Sequence, residues 1–297
     1  MRLLFTLFFI LISVTFGRLH AQPFVDIATF QHISLKNSSA TNEKTNAIAE
    51  GSWDLAMLNI PWRIDSSNLL VVSPGFEYRS VINDETISDA FYRTGYLPVT
   101  YVRTFKNRKN RLSLTGIYRF NADTRLKFGS NNDQVGVLAL FYHQRSARLT
   151  YKAGLYYNQE FFNDQWIPFI GVDYHISKRL MLFSMLPRYL ILDYTVAPAL
   201  HCGFWFRGID ESYRYLTNGP KDYFRVTEGY LRCYADYYIP NTLFVATLAA
   251  GHTLQRRYNY GVDSDVYETF PEGTFMLQAG IALRFVTDPL FKTQRTP

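Results

Sequence analysis

The chain is expected to fold as an all-β, transmembrane, antiparallel up-and-down β-barrel of about twelve to fourteen strands, with fourteen favoured. Three observations predict it. Apolar residues recur at period two through strand-length pieces, which puts one row of side chains on each face of a sheet. The connections between these pieces alternate short and long. No part of the mature chain approaches the roughly 18 continuous apolar residues of a helical span, yet aromatics make up 17% of the sequence, with 22 Tyr and 24 Phe distributed through every strand candidate. Aromatic girdles at two interfaces account for that excess better than a soluble sandwich does.

The amino terminus reads as a secretory signal peptide over residues 1–21: Met1 and Arg2, the apolar run 3–16, and the small residue Ala21 at the cut. No Cys follows the cut, which argues against a lipid anchor. The barrel then covers 22–285, and 286–297 form a polar periplasmic tail. Removal of Arg2 and Arg18 takes the formal charge from +6 to +4, spread without a basic block, so nothing points to nucleic acid.

Taken in order, the expected strands are 26–36, 48–60, 67–82, 94–105, 110–121, 133–145 and 147–160, then 166–177, 179–186, 188–195, 198–208, 224–239, 242–256 and 273–285. Short links lie at 61–66, 106–109, 146, 177–178, 196–197 and 239–241; longer polar ones lie at 37–47, 83–93, 122–132, 161–165, 209–223 and 257–272. Short periplasmic turns and longer outer loops give this alternation. It holds throughout if 179–186 and 188–195 are two short strands meeting at Leu186-Pro187. If that pair is irregular, the count is twelve. The seam joins 26–36 to 273–285. Pro74, Pro98 and Pro168 each remove a ladder donor, and Pro74 and Pro98 are expected at one height as a bulge or weakness in the wall.

Ionisable residues at period two inside single strands call for a water-filled or salt-bridged lumen, since charge on the lipid face costs about 2–4 kcal/mol at midplane. The expected lumen-lining residues are Asp54, Glu77, Arg79, Arg119, Lys152, Glu160, Asp173, Glu228, Arg232 and Asp236.

The last segment, 273–285, ends in Gln278-Ala279-Gly280-Ile281-Ala282-Leu283-Arg284-Phe285. This octet resembles the carboxy-terminal assembly signal of bacterial outer-membrane β-barrels, with Gln278, Gly280, Leu283 and Phe285 at the matching positions. From Asp26 to Phe285 the chain resembles a family of uncharacterised outer-membrane β-barrel proteins of Gram-negative bacteria. The matches are Asp26–Phe30, Leu58–Pro61, Trp166–Tyr174, Leu186–Arg188 and Gln278–Phe285. The resemblance implies an outer-membrane location, contact with its lipid and delivery by the barrel assembly machinery. It carries no activity. Such chains usually stop at the final aromatic, whereas this one continues beyond Phe285.

The function classes left open are three. One is a passive, porin-like pore or transport barrel for small hydrophilic solutes. A second is a structural or adhesive barrel with a plugged lumen and partner-binding outer loops, especially 209–223 and 257–272. The remote third is a lipid hydrolase using a His-x-Ser pair, either His32 and Ser34 or His175 and Ser177 with Asp173 on the same face. A non-enzyme is the favoured reading. The six scattered histidines give no metal spacing, and no cofactor is implied. Cys202 and Cys233 stand equidistant from the middle of 209–223 and share an outward row, so a cross-strand disulfide is a further expectation.

Overall fold

Hydrocarbon offers backbone N–H and C=O groups no partners, so a sheet that crosses it must close on itself. The computed structural model describes residues 24–286 apart from 43–44, 84–89, 128, 130, 215–221, 263–264 and 271. The expected signal peptide and the tail after Val286 lie outside the described residues. The wall is a closed barrel of fourteen antiparallel strands, three of them interrupted. In chain order they are β1 (Phe24–Asn42), β2 (Thr45–Leu58, continued by Ile60–Arg63), β3 (Asn68–Val72 and Gly75–Asn83), β4 (Ala90–Thr104) and β5 (Asn110–Asp123). There follow β6 (Asp133–Ser146), β7 (Leu149–Gln159), β8 (Asp164–His175), β9 (Leu180–Met185) and β10 (Tyr189–Ala197). The last are β11 (Leu200–Arg214), β12 (Tyr223–Tyr238), β13 (Phe244–Val262) and β14 (Asp265–Thr269 and Phe275–Val286).

Each strand pairs with its sequence neighbour, and the seam closes β14 onto β1 from Phe24↔Val286 to Leu35↔Met276. The short strands β9 and β10 are both present, so the even count follows from the hairpin at Leu186-Pro187. Several strands run further than their hydrophobic pattern: β1 reaches Asn42, β11 reaches Arg214 and β13 reaches Val262. Segments expected as loop, such as 37–42, 209–214 and 257–262, are therefore ladder. The alternation of apolar residues marks only the lipid-facing band; beyond it the backbone pairing continues.

Inside and outside are reversed relative to a soluble protein. Ile170 and Leu248 are 66% and 68% exposed on the outer wall, while the inward Arg232 is 2% exposed. Pro74 falls in the break between the two segments of β3, beside Ser73, whose amide donates to the Pro98 carbonyl at 2.9 Å. The two prolines thus share one interruption in the ladder. Glycine suits a close approach at the seam, where a Cβ on Gly280 would meet the Phe30 carbonyl and the Gln31 side chain at a tight 3.0 Å each.

The β2–β3 turn is built by Asp65, whose carboxylate accepts from the amides of Ser67 and Asn68 and from the Asn68 side chain at 2.7–2.9 Å. The Asn68 side-chain bond leads in holding the Asp65 carboxyl below its usual value of 3.8. A depressed folded value means stability present above the unfolded pKa and lost as pH falls through the folded one. The stability difference between wild type and Asp65→Ala, read from urea midpoints, is therefore expected at neutral pH and should shrink below about pH 4. A difference that grows on acidification contradicts this role.

The lumen and its cavity

Inward charges in a low-dielectric enclosure are stable only when paired and fully hydrogen-bonded, and the lumen pairs them in layers. Near the periplasmic end Arg284 bridges Asp26 and Asp236, both at 2.6 Å. On the wall of β7 and β8 Lys152 meets Asp173 at 2.5 Å, and on β10 and β11 Asp193 bonds His201 at 3.0 Å. Higher, Glu228 of β12 gathers Arg79 at 3.2 Å, Arg256 at 3.4 Å and the Tyr258 hydroxyl at 2.7 Å, and also accepts from Tyr230. Arg232 bonds Gln278 and lies 3.8 Å over the Trp205 ring. Glu77 accepts from the Trp53 indole at 3.0 Å.

The outer end is closed by its own wall. The upper part of β11 leans inward until Arg214 bridges Ala122 of β5 in parallel register. Ser212 is fully buried there. Its amide donates to Glu160 at 3.0 Å, its carbonyl accepts from Asn121 at 3.1 Å, and its hydroxyl accepts from Gln134 and the Phe161 amide at 3.1 and 3.0 Å. Arg119 neutralises Glu160 at 2.6 Å. Beside this contact Tyr92, Tyr213, Phe224, Tyr258 and Tyr260 form a packed aromatic layer with Val81 and Val226.

Beneath lies a cavity of about 900 Å³ that reaches from Asp26 up to Glu211. Leu55, Met57, Ile117, Leu138, Phe169 and Ile209 give it an apolar surface, against which Arg188 and Arg207 present guanidinium groups. Arg188 stands 3.8 Å from Glu211. Arg207 stacks 4.5 Å over the Trp53 ring and has no ion-pair partner among the described residues.

Nine of the ten expected lumen residues, Glu77, Arg79, Arg119, Lys152, Glu160, Asp173, Glu228, Arg232 and Asp236, face inward, and Arg119 and Glu228 line the cavity with Glu77. Asp54 does not. Its neighbours Trp53 and Leu55 are the inward residues, so Asp54 faces outward, where it bonds His32 Nδ1 at 2.7 Å. That pair adjoins Ser34, though no hydrogen bond joins Ser34 to His32. The second candidate set is taken up otherwise: Asp173 is committed to Lys152, and Ser177 caps a turn by accepting from the amides of Arg179 and Leu180. Arg188, Arg207 and Glu211 escaped the sequence reading, because each sits singly in a strand that reads as apolar or as loop.

Gln278 and Arg284 point inward on β14, while Leu283 and Phe285 lie on its outward row. The disulfide expectation is corrected. Cys202 is paired with Ala235 and Cys233 with Phe204, a register two residues from the symmetric one, and both thiols are free. Oxidation with copper phenanthroline is therefore expected to leave two titratable thiols and an unchanged non-reducing mobility. A faster-migrating, reductant-sensitive form would contradict this register.

No protein-family model matches the chain, and no curated protein does. Solved structures with the same architecture do match. An outer-membrane channel from Pseudomonas putida F1 is 11% identical, with 88% of this chain and 96% of that one covered, at a TM-score of 0.47. The translocator domain of the autotransporter NalP from Neisseria meningitidis is 11% identical over 94% and 95% of the two chains, at 0.37. The TodX monoaromatic hydrocarbon channel is 8% identical over 88% and 91%, at 0.42. All are outer-membrane β-barrels. So is this chain. Its closed wall, apolar exterior and ion-paired interior place it in the outer membrane of a Gram-negative bacterium.

Proposed function

We propose that this barrel is a passive transport protein for small amphipathic solutes carrying a negative charge. The observation that carries the reading is the cavity: about 900 Å³ of largely apolar surface, with Arg207 outside ion-pair distance of every carboxylate among the described residues. The hydrophilic solutes expected from sequence fit this lining less well, because a sugar or ion would leave most of its polar groups facing Leu, Met, Ile and Phe. A guanidinium pairs an oxyanion through two parallel donors, and the apolar wall takes the rest of the molecule. The machinery that inserts outer-membrane barrels is the partner the terminal strand is proposed to engage, and its lipid is the other. In proteoliposomes, 2-naphthalenesulfonate is expected to enter faster than glucose, with Arg207→Gln slowing only the sulfonate. Equal entry of both solutes, or no entry above empty liposomes, overturns the proposal.

One further observation favours a second reading, a lipid hydrolase. Asp54 gives His32 an orienting carboxylate on the outer face, and an apolar hollow of about 970 Å³ lined by His32, Ser34, Leu248, Leu277 and Ala279 lies alongside. Ser34→Ala abolishing phospholipid hydrolysis by the purified barrel would establish it. Absence of hydrolysis in wild type removes it.

A further inference from the structure

The wall between β8 and β11 is incomplete above the β9–β10 hairpin. Ile170 exchanges two backbone hydrogen bonds with Leu186, at 2.8 and 3.2 Å, and Gly208 donates to the Arg188 carbonyl at 2.9 Å. Those are the highest rungs that the hairpin supplies. Among the described residues, β8 above Ile170 pairs only with β7, and β11 above Gly208 pairs with β12 on one side and no strand on the other except for the single bridge across the lumen. The ladder between β8 and β11 is therefore missing from the Ile170 and Gly208 rungs up to Ser212, whose hydroxyl accepts from the Phe161 amide at 3.0 Å and closes the break above. At about 3.3 Å per residue and a tilt near 40°, the four residues from Gly208 to Ser212 leave a break roughly 10 Å tall.

Three features show that the gap is built into the sequence. Val172 directs both backbone groups at Ser184 and Ile170 directs both at Leu186. By alternation Pro168 aims the same way, into the opening, and proline is the residue that leaves no bare N–H on an open edge. On the other edge the Ser212 amide is satisfied by Glu160 instead of by a strand. At the sill, Gly208 stands directly opposite Gly229, so that pair adds no side chain of its own to the outer face, and the Phe206 ring lies beside it. A side-chain clasp, Gln165 Nε2 to Asp210 Oδ2 at 3.0 Å, spans the opening, and Arg225 holds that Asp210 at 2.8 Å.

The cavity continues through this opening. Along β11, Trp205, Arg207, Ile209 and Glu211 belong to the inward row, and Phe206, Gly208 and Asp210 to the outward one, yet all seven line the same space. A wall that separated lumen from lipid would not share one cavity between both of its faces. The opening also lies at lipid level. Ile170 and Leu231 are exposed at its foot, and Trp166, 64% exposed and packed 4.8 Å from the Tyr157 ring, stands at its upper edge where an interfacial aromatic belongs.

We infer that the β8–β11 opening is a lateral doorway through which an amphipathic anion passes between the lumenal cavity and the outer leaflet. This rests on the transport reading for its substrate, though the doorway itself is a property of the wall. The charged head stays with Arg188 and Arg207, which line the cavity near the sill, while the apolar tail crosses the Gly208–Gly229 surface beside the Phe206 ring into hydrocarbon. A ligand confined to water would have no use for such a route, because the aromatic layer closes the outer end.

The test uses a membrane-confined probe, an alkyl sulfonate with a diazirine at its tail, photolysed with the reconstituted full-length barrel and mapped by mass spectrometry. Wild type is expected to be labelled on the lumenal residues Leu138 and Ile117 as well as on the outer residues Leu114 and Leu155. Gly229→Trp fills the sill; a Cβ there meets only Phe206, at 3.7 Å, an ordinary contact distance, so the substitution begins without a backbone clash. It should abolish lumenal labelling and leave the outer labels, whereas Leu231→Trp, on the same face beside the doorway, should leave both. A Cys pair at Gln165 and Asp210, tied by a short bis-thiosulfonate in a background with Cys202 and Cys233 replaced by Ser, provides a second closure. Lumenal labels absent from wild type, or unchanged in both closures, overturn the inference. Failure of the transport reading alone would show as absent naphthalenesulfonate entry with lumenal labelling intact.

Discussion

Glu228→Ala is expected to deprive this barrel of most of its thermal and denaturant resistance. Glu228 is 3% exposed and is in ion-pair contact with both Arg79 and Arg256. Tyr230 and Tyr258 also donate to it. Its removal takes one carboxylate from two buried guanidinium groups at once and leaves a cavity where it stood. Breaking one buried pair by deleting a partner costs about 3–5 kcal/mol, and here two are broken at once. The measurement is the urea midpoint of the heat-modifiable band, with Glu228→Gln as comparison, since the amide keeps an acceptor for the tyrosines but loses the charge. The alanine variant should fall furthest and the glutamine variant between it and wild type. A midpoint for Glu228→Ala indistinguishable from wild type would mean that water enters this layer and screens the arginines.

Phe224→Ala combined with Tyr213→Ala is expected to open the outer end. Phe224 is fully buried, with ring centroids 4.7–6.4 Å from Tyr92, Tyr213, Tyr258 and Tyr260. It is the member of the aromatic layer that touches all the others. Truncating a buried Phe costs about 3–5 kcal/mol, and each lost ring pair adds about 0.5–1.5 kcal/mol. The layer should therefore lose its packing and leave a water-filled gap beside the inward-leaning β11. In planar bilayers the wild type is expected to show little conductance along its axis, and the double variant discrete openings. Equal conductance in the two would place the seal at the Ser212 contacts with Glu160, Gln134 and Asn121 instead, and Glu160→Ala would then be the opening variant.

The sequence by itself determined the wall. Period-two rows such as Leu112, Leu114, Gly116 and Tyr118 against Arg111, Ser113, Thr115 and Arg119 follow from one constraint, lipid on one side and a polar interior on the other. That constraint acts locally, strand by strand, so it can be read locally. The seam and the inward place of nine of the ten lumen residues come from the same rule, which left the count at twelve or fourteen until the short pair β9 and β10 decided it. It fails where a residue's partner comes from elsewhere. Asp54 is an ionisable residue on the outer face because His32 of the neighbouring strand offers it a hydrogen bond, and no periodicity reports a cross-strand pair. The cysteines show the limit in register: the facing of Cys202 and Cys233 is local, but their two-residue offset belongs to the pairing of β11 with β12 as a whole, from Leu200↔Tyr237 to Arg214↔Tyr223.

Only the tertiary structure decided what the lumen is. Tyr92, Tyr213 and Phe224 lie in three strands and read separately as ordinary aromatics of a barrel; closure of the sheet stacks them into a layer. The opening beside β8 arises because β9 and β10 are shorter than the strands on either side. A short strand is visible in the sequence, but the consequence for the wall appears only when its neighbours are set beside it. Pro168 illustrates the difference. In sequence it is a flaw in a strand, and in the barrel it sits on the one edge where a missing N–H costs nothing.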